Sequence, residues 1–178
     1  MNLLNSFEIK ILHSLHDTLQ CSFLDAFLPI VTRLADYGII WIIIAVILLI
    51  FKKTRRVGIT MAISLILGLI FGNLIMKPLI ARIRPYDFDT SIVLLIPAEH
   101  EFSFPSGHTL ASFEGAVSIY LYNKKAGFCA LLLASIIAFS RIYLMVHYPL
   151  DVIAAIILGS LFAFISYKIA THKKCREL

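Results

Sequence analysis

Residues 57–85 have the sequence VGITMAISLILGLIFGNLIMKPLIARIRP, and this stretch decides the fold class. Its first 20 residues, 57–76, contain no charged side chain. A helix needs about 20 mainly apolar residues to cross the hydrocarbon core of a bilayer. Charges begin at Lys77 and continue with Arg82 and Arg84. The stretch therefore predicts a transmembrane helix that leads into a polar site at one face of the membrane.

Further apolar runs along the chain have the composition of membrane-spanning helices. They cover residues 37–51, 107–122, 127–146 and 150–169. Of all residues, 60% are hydrophobic and 15% are charged, whereas soluble domains carry about 25% charged residues. The composition predicts an all-α, polytopic transmembrane bundle of about six helices. Residues 1–178 are expected to form a single integral membrane domain.

The first 35 residues contribute two weaker helical patterns. Within residues 1–21, apolar side chains recur on one side of a helix at Phe7, Ile11, Leu12, Leu15 and Leu19. This spacing predicts an amphipathic N-terminal helix at the membrane surface. Residues 22–35 are apolar but contain Asp25, Pro29 and Arg33. They predict a short or tilted helix, and whether it spans the membrane stays open.

The basic residues predict how the chain is oriented in the membrane. They gather within residues 52–56, at 124–125 and within 168–176. If every strong span crosses once, all three groups lie on one side, which the positive-inside rule identifies as the cytoplasm. The loop 77–106 and the turn 147–149 then lie outside, and the C-terminus is cytoplasmic. The net charge of +5 lies on no basic face of a soluble domain, so nucleic acid is excluded as a partner.

Three polar clusters interrupt this apolar sequence. They are Lys77-x₆-Arg84-Pro85, Pro105-Ser106-Gly107-His108 and Ser140-Arg141-x₅-His147-x₃-Asp151. The predicted orientation brings all three to the extracytoplasmic end of the bundle. Taken singly, each cation is typical of a snorkelling anchor. Together, three cations, two imidazoles and one carboxylate are the groups that an enzyme needs to hold and attack a phosphate.

The third cluster contains a candidate nucleophile and its supporting groups. His147 and Asp151 are four residues apart, and Pro149 between them is typical of the first turn of a helix. A carboxylate bonded to one ring nitrogen fixes the tautomer and raises the nucleophilicity of the other nitrogen. Arg141 ends the preceding span, and its planar guanidinium suits bidentate contacts with phosphate.

The other two clusters supply candidate phosphate-binding groups. Ser106 and Gly107 open a predicted helix, where free backbone N–H groups favour an anion. His108 would stand beside that anion as a general acid. Lys77 and Arg84 would neutralise the charge on the phosphoryl oxygens during transfer.

Several other polar residues receive structural interpretations. Arg82 is an extra cation beside Arg84 and is assigned either to the site or to lipid headgroups. Glu99-His100-Glu101 belongs to the only long loop, 86–104, and is interpreted as solvated. Glu114 lies within a predicted span and requires a partner that the sequence does not identify.

At the three clusters the chain resembles the type 2 phosphatidic acid phosphatase family. All three family motifs are complete within residues 77–151, and the surrounding spans suit the family's helical bundle. Vanadium haloperoxidases share the same anion pocket on a soluble helical fold, which does not suit the hydrophobicity of this chain. The resemblance implies a metal-independent lipid phosphatase that uses no cofactor.

The resemblance also implies a role for each residue of the motifs. His147 attacks phosphorus in line to form a phosphohistidine, and Asp151 orients His147. His108 protonates the leaving oxygen and then helps to activate water. The phosphoryl oxygens are held by Lys77, Arg84, Arg141, Ser106 and the Gly107 amide.

The substrate is predicted from a weaker similarity. The stretch from Phe7-Glu8-Ile9 through Leu24-Asp25, with Asp36-Tyr37, is similar to bacterial undecaprenyl diphosphate phosphatases of this family. The expected reaction converts undecaprenyl diphosphate to undecaprenyl phosphate at the plasma membrane, for cell-wall synthesis. Phosphatidylglycerophosphate, phosphatidic acid, phosphoryl transfer to an alcohol and a non-hydrolytic anion or lipid carrier stay open as alternatives. The sequence does not determine the oligomeric state.

Overall fold

The computed structural model describes residues 2–172 and is helical, with no strand in that part of the chain. Within residues 2–172, nine α-helices follow one another: α1 Asn2–Leu19, α2 Ser22–Arg33, α3 Ile39–Ile50, α4 Arg55–Leu67, α5 Lys77–Ile80, α6 Pro85–Phe88, α7 Gly107–Tyr122, α8 Lys124–Tyr143 and α9 Pro149–His172. A 3₁₀ turn, Asp36–Gly38, joins α2 to α3, and a π-helical segment, Gly68–Met76, joins α4 to α5. The prediction of an all-α bundle is confirmed. Of the basic residues used to predict orientation, Lys173, Lys174 and Arg176 lie outside the described residues.

Helix lengths divide the bundle into long and short spans. Three helical segments, Arg55–Phe88, Lys124–Tyr143 and Pro149–His172, are long and apolar enough to cross a membrane. Helices α2 and α3 form a fourth candidate span that is bent by 42° at their junction. Most of residues 22–35, whose crossing the sequence left open, thus forms the first half of this bent candidate. The chain is a multi-pass membrane protein.

Helix α7 is the centre of the bundle, although its 16 residues are short for a span. It packs against α3, α4, α8 and α9. Apolar contacts around it include Trp41, Phe113 and Ile137, which are all buried. The Trp41 indole N–H donates to the Ser112 hydroxyl at 3.0 Å, so the largest core side chain is fixed to α7 by a polar contact.

The intramembrane carboxyl of Glu114 faces the start of the π-helical segment. The Ser64 hydroxyl donates to its Oε1 at 3.4 Å, which identifies the partner that the sequence did not. A Cβ atom at Gly68 would lie 2.4 Å from both carboxyl oxygens, so only glycine allows this approach. Glu114 therefore packs inside the bundle, away from lipid.

Helix α1 was predicted to lie at the membrane surface, but one of its two faces is buried against the rest of the protein. Leu3, Leu4 and Phe7 are exposed, as an interfacial helix requires. The opposite face is buried and contains two polar side chains, Asn5 and Glu8. A buried carboxylate is not expected on a helix that lies only on the membrane surface. The groups that Glu8 contacts lie at the polar end of the bundle.

Four helix ends meet at that polar end. Helix α5 finishes there, α7 and α9 begin there, and α8 finishes there. Backbone bonds tie the connecting loops together: the Ser103 N–H donates to the Arg82 carbonyl at 2.8 Å, and the Ser106 N–H donates to the Asp151 carbonyl at 3.3 Å. All three polar clusters are thereby brought to the same end of the molecule.

Candidate active site

His147 lies in the turn between α8 and α9, with its carboxylate partner in the first turn of α9. Helix α9 begins at Pro149, where a fixed φ suits the first turn. His147 Nδ1 lies 3.6 Å from Asp151 Oδ2, which is longer than a hydrogen bond. The Ser103 hydroxyl lies between them, donating to Asp151 Oδ2 at 2.5 Å and lying 3.4 Å from Nδ1. Ser103 thus bridges the predicted pair.

The other ring nitrogen of His147 faces Arg84. Arg84 Nη1 lies 3.3 Å from His147 Nε2 and 3.0 Å from the Val146 carbonyl oxygen. A guanidinium has no lone pair to offer, so Nε2 must be the acceptor and carry a free lone pair. The proton of the neutral ring then sits on Nδ1, facing Ser103 and Asp151. This tautomer is the one in which Nε2 is a nucleophile.

Two carboxylates from the loop between α6 and α7 pair with the three predicted phosphate-binding cations. Glu99 Oε2 lies 2.6 Å from Arg84 Nη2, and its Oε1 pairs with Arg141. Glu101 pairs with Lys77. Arg141 also donates to the Thr32 hydroxyl at 2.6 Å. Lys77, Arg84 and Arg141 are buried. The prediction of a solvated loop is therefore wrong for Glu99, which is partly buried between two arginines, whereas Glu101 is exposed to solvent while it pairs with Lys77.

The start of α7 lies against these cations. A Cβ atom at Gly107 would lie 3.3 Å from Asn73 Oδ1, a tight contact, and 3.8 Å from Lys77 Nζ, so the Lys77 ammonium lies next to the N-terminus of α7. The hydroxyls of Ser106 and Thr109 lie 3.0 Å apart. His108 Nε2 lies 2.8 Å from Asp36 Oδ1, and no bond joins His108 to His147 within the described residues. All eight predicted residues thus lie at one end of the bundle, with His108 held by its own carboxylate.

Residues 54–175 match the PAP2 superfamily. The chain belongs to this superfamily. The match spans more than half of the chain and includes all three polar clusters, so the family predicted from the motifs is confirmed. The predicted enzyme class, a lipid phosphatase, is confirmed by this match together with the relatives described next.

Several known proteins are similar to this chain over most of its length. The undecaprenyl-diphosphatase of Sulfolobus acidocaldarius is 40% identical over 82% of this chain and 71% of its own length. The bacitracin transport permease protein BcrC of Bacillus licheniformis is 35% identical over 76% of this chain and 68% of its own length. The crystal structure of Aquifex aeolicus LpxE superimposes with a TM-score of 0.78 at 26% identity and covers 89% of this chain and 93% of that chain.

Arg82, in the first PAP2 motif, does not contact lipid headgroups, and that interpretation is wrong. Its side chain is 3% exposed, and Nη1 donates to Asp151 Oδ1 at 2.6 Å. On its other side it pairs with Glu8 and bonds Asn5 Oδ1 from Nε and Nη2 at 3.1 and 2.8 Å. The guanidinium carbon lies 3.8 Å from the centre of the Tyr148 ring. Burial makes headgroup contact unavailable.

The protonation states follow from burial and from these cations. Burial, with Arg84 and Arg141 nearby, holds the pKa of His147 well below its usual value, so its ring is neutral at neutral pH. Burial alone would raise the pKa of Glu99, but Arg141 and Arg84 hold it well below its usual range. The site at rest therefore combines a neutral imidazole, two arginines and an ionised carboxylate between them.

A cavity of about 260 Å³ opens beside the cations. Its lining combines residues of the first PAP2 motif with residues of the loop that supplies the two carboxylates. It includes Arg84, Tyr86, Glu99, Glu101 and Phe102. The space adjoins the guanidinium of Arg84 and lies on the loop side of the site, where a displaced carboxylate has room to move.

Proposed function

We propose that this protein hydrolyses undecaprenyl diphosphate to undecaprenyl phosphate and inorganic phosphate through a phosphohistidine at His147. The observation that carries the proposal is the position of Arg84, which lies 3.3 Å from His147 Nε2 while its other nitrogens bind anionic or carbonyl oxygens. A phosphoryl group held by Arg84 would have its phosphorus next to the free lone pair of Nε2. The name of the Sulfolobus acidocaldarius relative supports the diphosphate as substrate.

The loop carboxylates support this use of the cations. Glu99 bridges Arg84 and Arg141, and Glu101 pairs with Lys77, so three carboxylate oxygens occupy positions that suit phosphoryl oxygens. A terminal phosphate brings three oxygens and more negative charge to the same donors. It would replace the carboxylates, with the N-terminus of α7 at Gly107 as a further donor.

The proposed reaction has two steps, phosphoryl transfer to His147 and hydrolysis of the phosphohistidine. In the first, the Nε2 lone pair forms a bond to the terminal phosphorus as the bridging P–O bond breaks, and His108 donates a proton to the leaving lipid phosphate. In the second, His108 takes a proton from water, the water oxygen bonds to phosphorus, and the N–P bond breaks. Asp36 Oδ1 lies 2.8 Å from His108 Nε2 and is the counter-ion that a protonated His108 would have in the first step. Asp151 supports the charge that develops on His147.

The charge distribution supports an extracytoplasmic site with the C-terminus in the cytoplasm. Apart from the cations of the site itself and Lys10 and Arg33 of α1 and α2, the basic residues in the described part of the chain gather at the helix ends far from His147: Lys52, Lys53, Arg55, Arg56, Lys124, Lys125 and Lys168. By the positive-inside rule these ends are cytoplasmic. A site on the outer face suits recycling of a carrier diphosphate released there. We infer that residues 1–178 act as one catalytic domain in this process.

Phosphate release by detergent-purified protein in the presence of EDTA tests the proposal. We expect release from undecaprenyl diphosphate to exceed release from phosphatidylglycerophosphate and phosphatidic acid. In His147→Ala the rate should fall at least about 10⁴-fold, because the nucleophile is lost. His172→Ala, an exposed histidine at the far end of α9, is the matched control and should keep wild-type activity.

Three outcomes would contradict the proposal. Full activity in His147→Ala would remove the nucleophile. A preference for either glycerophospholipid would replace the substrate and keep the chemistry. Saturable binding or flux of the diphosphate without any phosphate release would favour a carrier, the class to which the name of the Bacillus licheniformis relative points.

A further inference from the structure

A chain of buried charges extends from His147 to helix α1. Asp151 is fully buried and divides its two oxygens between two sets of partners. Oδ2 accepts from the Ser103 hydroxyl and the Tyr148 N–H and faces His147, while Oδ1 accepts from Arg82 at 2.6 Å. The orientation of the carboxylate behind His147 therefore depends on Arg82.

Helix α1 holds Arg82 from the opposite side. Glu8, which is 4% exposed, uses Oε2 to pair with Arg82 and Oε1 to accept from the Leu150 N–H at 2.8 Å. Asn5, one turn earlier, accepts two further bonds from Arg82. Leu150 is the residue before Asp151, so Glu8 fixes both the cation bound to Asp151 and the backbone that carries Asp151.

These contacts come from a part of the chain outside the family match. The PAP2 superfamily match begins at residue 54, whereas α1 ends at Leu19. The motifs therefore contain Asp151 but do not contain the groups that hold its partner Arg82. In this chain an N-terminal helix adds a second layer behind the nucleophile.

We infer that Glu8 and Arg82 are positioning residues for the reaction at His147, with Asn5 as their neutral support. The inference rests on the proposed function. Arg82 keeps the Asp151 carboxylate turned so that Oδ2 faces Nδ1 of His147, and Glu8 balances the charge of Arg82. Arg82 lines the cavity beside the site, but its guanidinium bonds to Asp151, Glu8 and Asn5, so we expect the pair to act on the chemical step more than on lipid binding.

A simpler role would be anchorage of α1 to the bundle, and the choice of variants separates the two. Glu8→Gln keeps an oxygen that can accept from the Leu150 N–H but removes the negative charge from Arg82. Asn5→Asp in the same chain returns a carboxylate to Arg82 from one turn away, where Asn5 Oδ1 already lies within 3.1 Å. Anchorage through Leu150 is the same in both variants.

The experiment measures kcat and KM for phosphate release by each variant. A thermal melt and a size-exclusion profile show how much of each variant is folded, and kcat is expressed per folded molecule. Glu8→Gln should lower kcat about 10-fold and leave KM within about twofold, since misplacement of catalytic groups reduces the rate of the chemical step. Arg82→Lys, which keeps the charge but loses the guanidinium fork, should lower kcat about 100-fold. The double variant Asn5→Asp/Glu8→Gln should recover to within about threefold of wild type. Asp17→Asn, the same kind of charge change on the exposed face of α1, should behave as wild type.

Two results would overturn the positioning role: an unchanged kcat per folded molecule in Glu8→Gln, or a double variant that stays as slow as Glu8→Gln. All ratios are taken on whichever of undecaprenyl diphosphate and phosphatidylglycerophosphate the wild type cleaves. Wild-type cleavage of the glycerophospholipid alone would therefore remove the proposed substrate and still decide the positioning role. Folded wild-type protein that cleaves neither lipid would overturn both.

Discussion

Two sets of carboxylates surround His147, and they differ in burial and in the backbone that carries them. Glu8 and Asp151 belong to helices α1 and α9 and have side chains that are 5% and 0% exposed. Glu99 and Glu101 belong to the loop before α7 and have side chains that are 29% and 68% exposed. Both sets pair with cations, so charge alone does not distinguish them.

The comparison shows that the burial of a carboxylate decides whether it stays paired with its cation. Separating Arg82 from Glu8 or Asp151 would leave unpaired charges in the interior, which costs about 3–5 kcal/mol. Glu99 and Glu101 can move into water, and a phosphate that replaces them keeps Arg84 and Arg141 paired. In the proposed mechanism the helical set supports the nucleophile, and the loop set occupies the phosphate site in the absence of substrate.

The largest effect is expected when the helical set is broken at Asp151. Asp151→Asn keeps the size of the side chain but removes the charge that stabilises the His147 imidazole during attack. We expect kcat for phosphate release to fall about 10³- to 10⁴-fold, as in other histidine–carboxylate pairs. Asp87→Asn, at an exposed position beside the cavity, is the control. A loss smaller than that of Glu8→Gln would show that Asp151 is not the member of the set that acts on His147.

An intermediate effect is expected when the loop set is broken at Glu99. Glu99→Gln removes the ion pair with Arg84 and Arg141, so inorganic phosphate should bind more tightly. We expect its inhibition constant against lipid hydrolysis to fall about 10-fold, since hydrogen bonds to charged groups, as between Glu99 and the two buried arginines, contribute about 1.5–3 kcal/mol. Glu101→Gln is the internal comparison and should change the inhibition constant about twofold, because the Glu101 side chain is largely exposed and its ion pair with Lys77 is screened by water. Equal effects of the two variants would contradict the difference in burial.

The smallest effect concerns the pH dependence. Burial, Arg84 and Arg141 lower the pKa of His147, whereas Glu99 raises it. The attacking ring must be neutral, so the acid limb of kcat/KM should lie below the ordinary histidine pKa of about 6.5, and the requirement for a protonated His108 adds a separate alkaline limb. In Glu99→Gln this acid limb should move to lower pH by on the order of 0.5 unit, because the group that raises the pKa is lost. A shift to higher pH would contradict the assignment of the limb to His147.

The sequence predicted the parts of the molecule that depend on local pattern. Long apolar runs predicted the helices, and Pro149 predicted the start of α9 with His147 just before it. The three motifs predicted the family and its phosphate chemistry. Residues 107–122 were predicted as a span, and helix α7 forms there with 16 residues, which is short for a span. Residues 22–35 were left open because Asp25, Pro29 and Arg33 interrupt the apolar run, and the structure joins α2 to α3 as a candidate span bent by 42°.

Contacts across long sequence separations were not predicted. The partner of Arg82 is Glu8, 74 residues away, and the partner of His108 is Asp36, 72 residues away. Ser103 meets Asp151 across 48 residues. Nothing in the spacing of these residues relates one to another, because each distance is set by how helices pack. One sequence feature indicated the contacts of α1: Asn5 and Glu8 fall on the same side of the predicted helix and form a polar face there.

The sequence by itself determined that this is a helical membrane protein with phosphate-binding motifs at one end, because hydrophobic length and motif spacing are local properties of the chain. Only the tertiary structure decided which carboxylate serves which cation. Helix packing buries Glu8 and Asp151 on two sides of Arg82 and leaves Glu99 and Glu101 on a loop over the phosphate site. The physical reason is that the cost of moving a charge depends on its burial, and burial is a property of the whole fold.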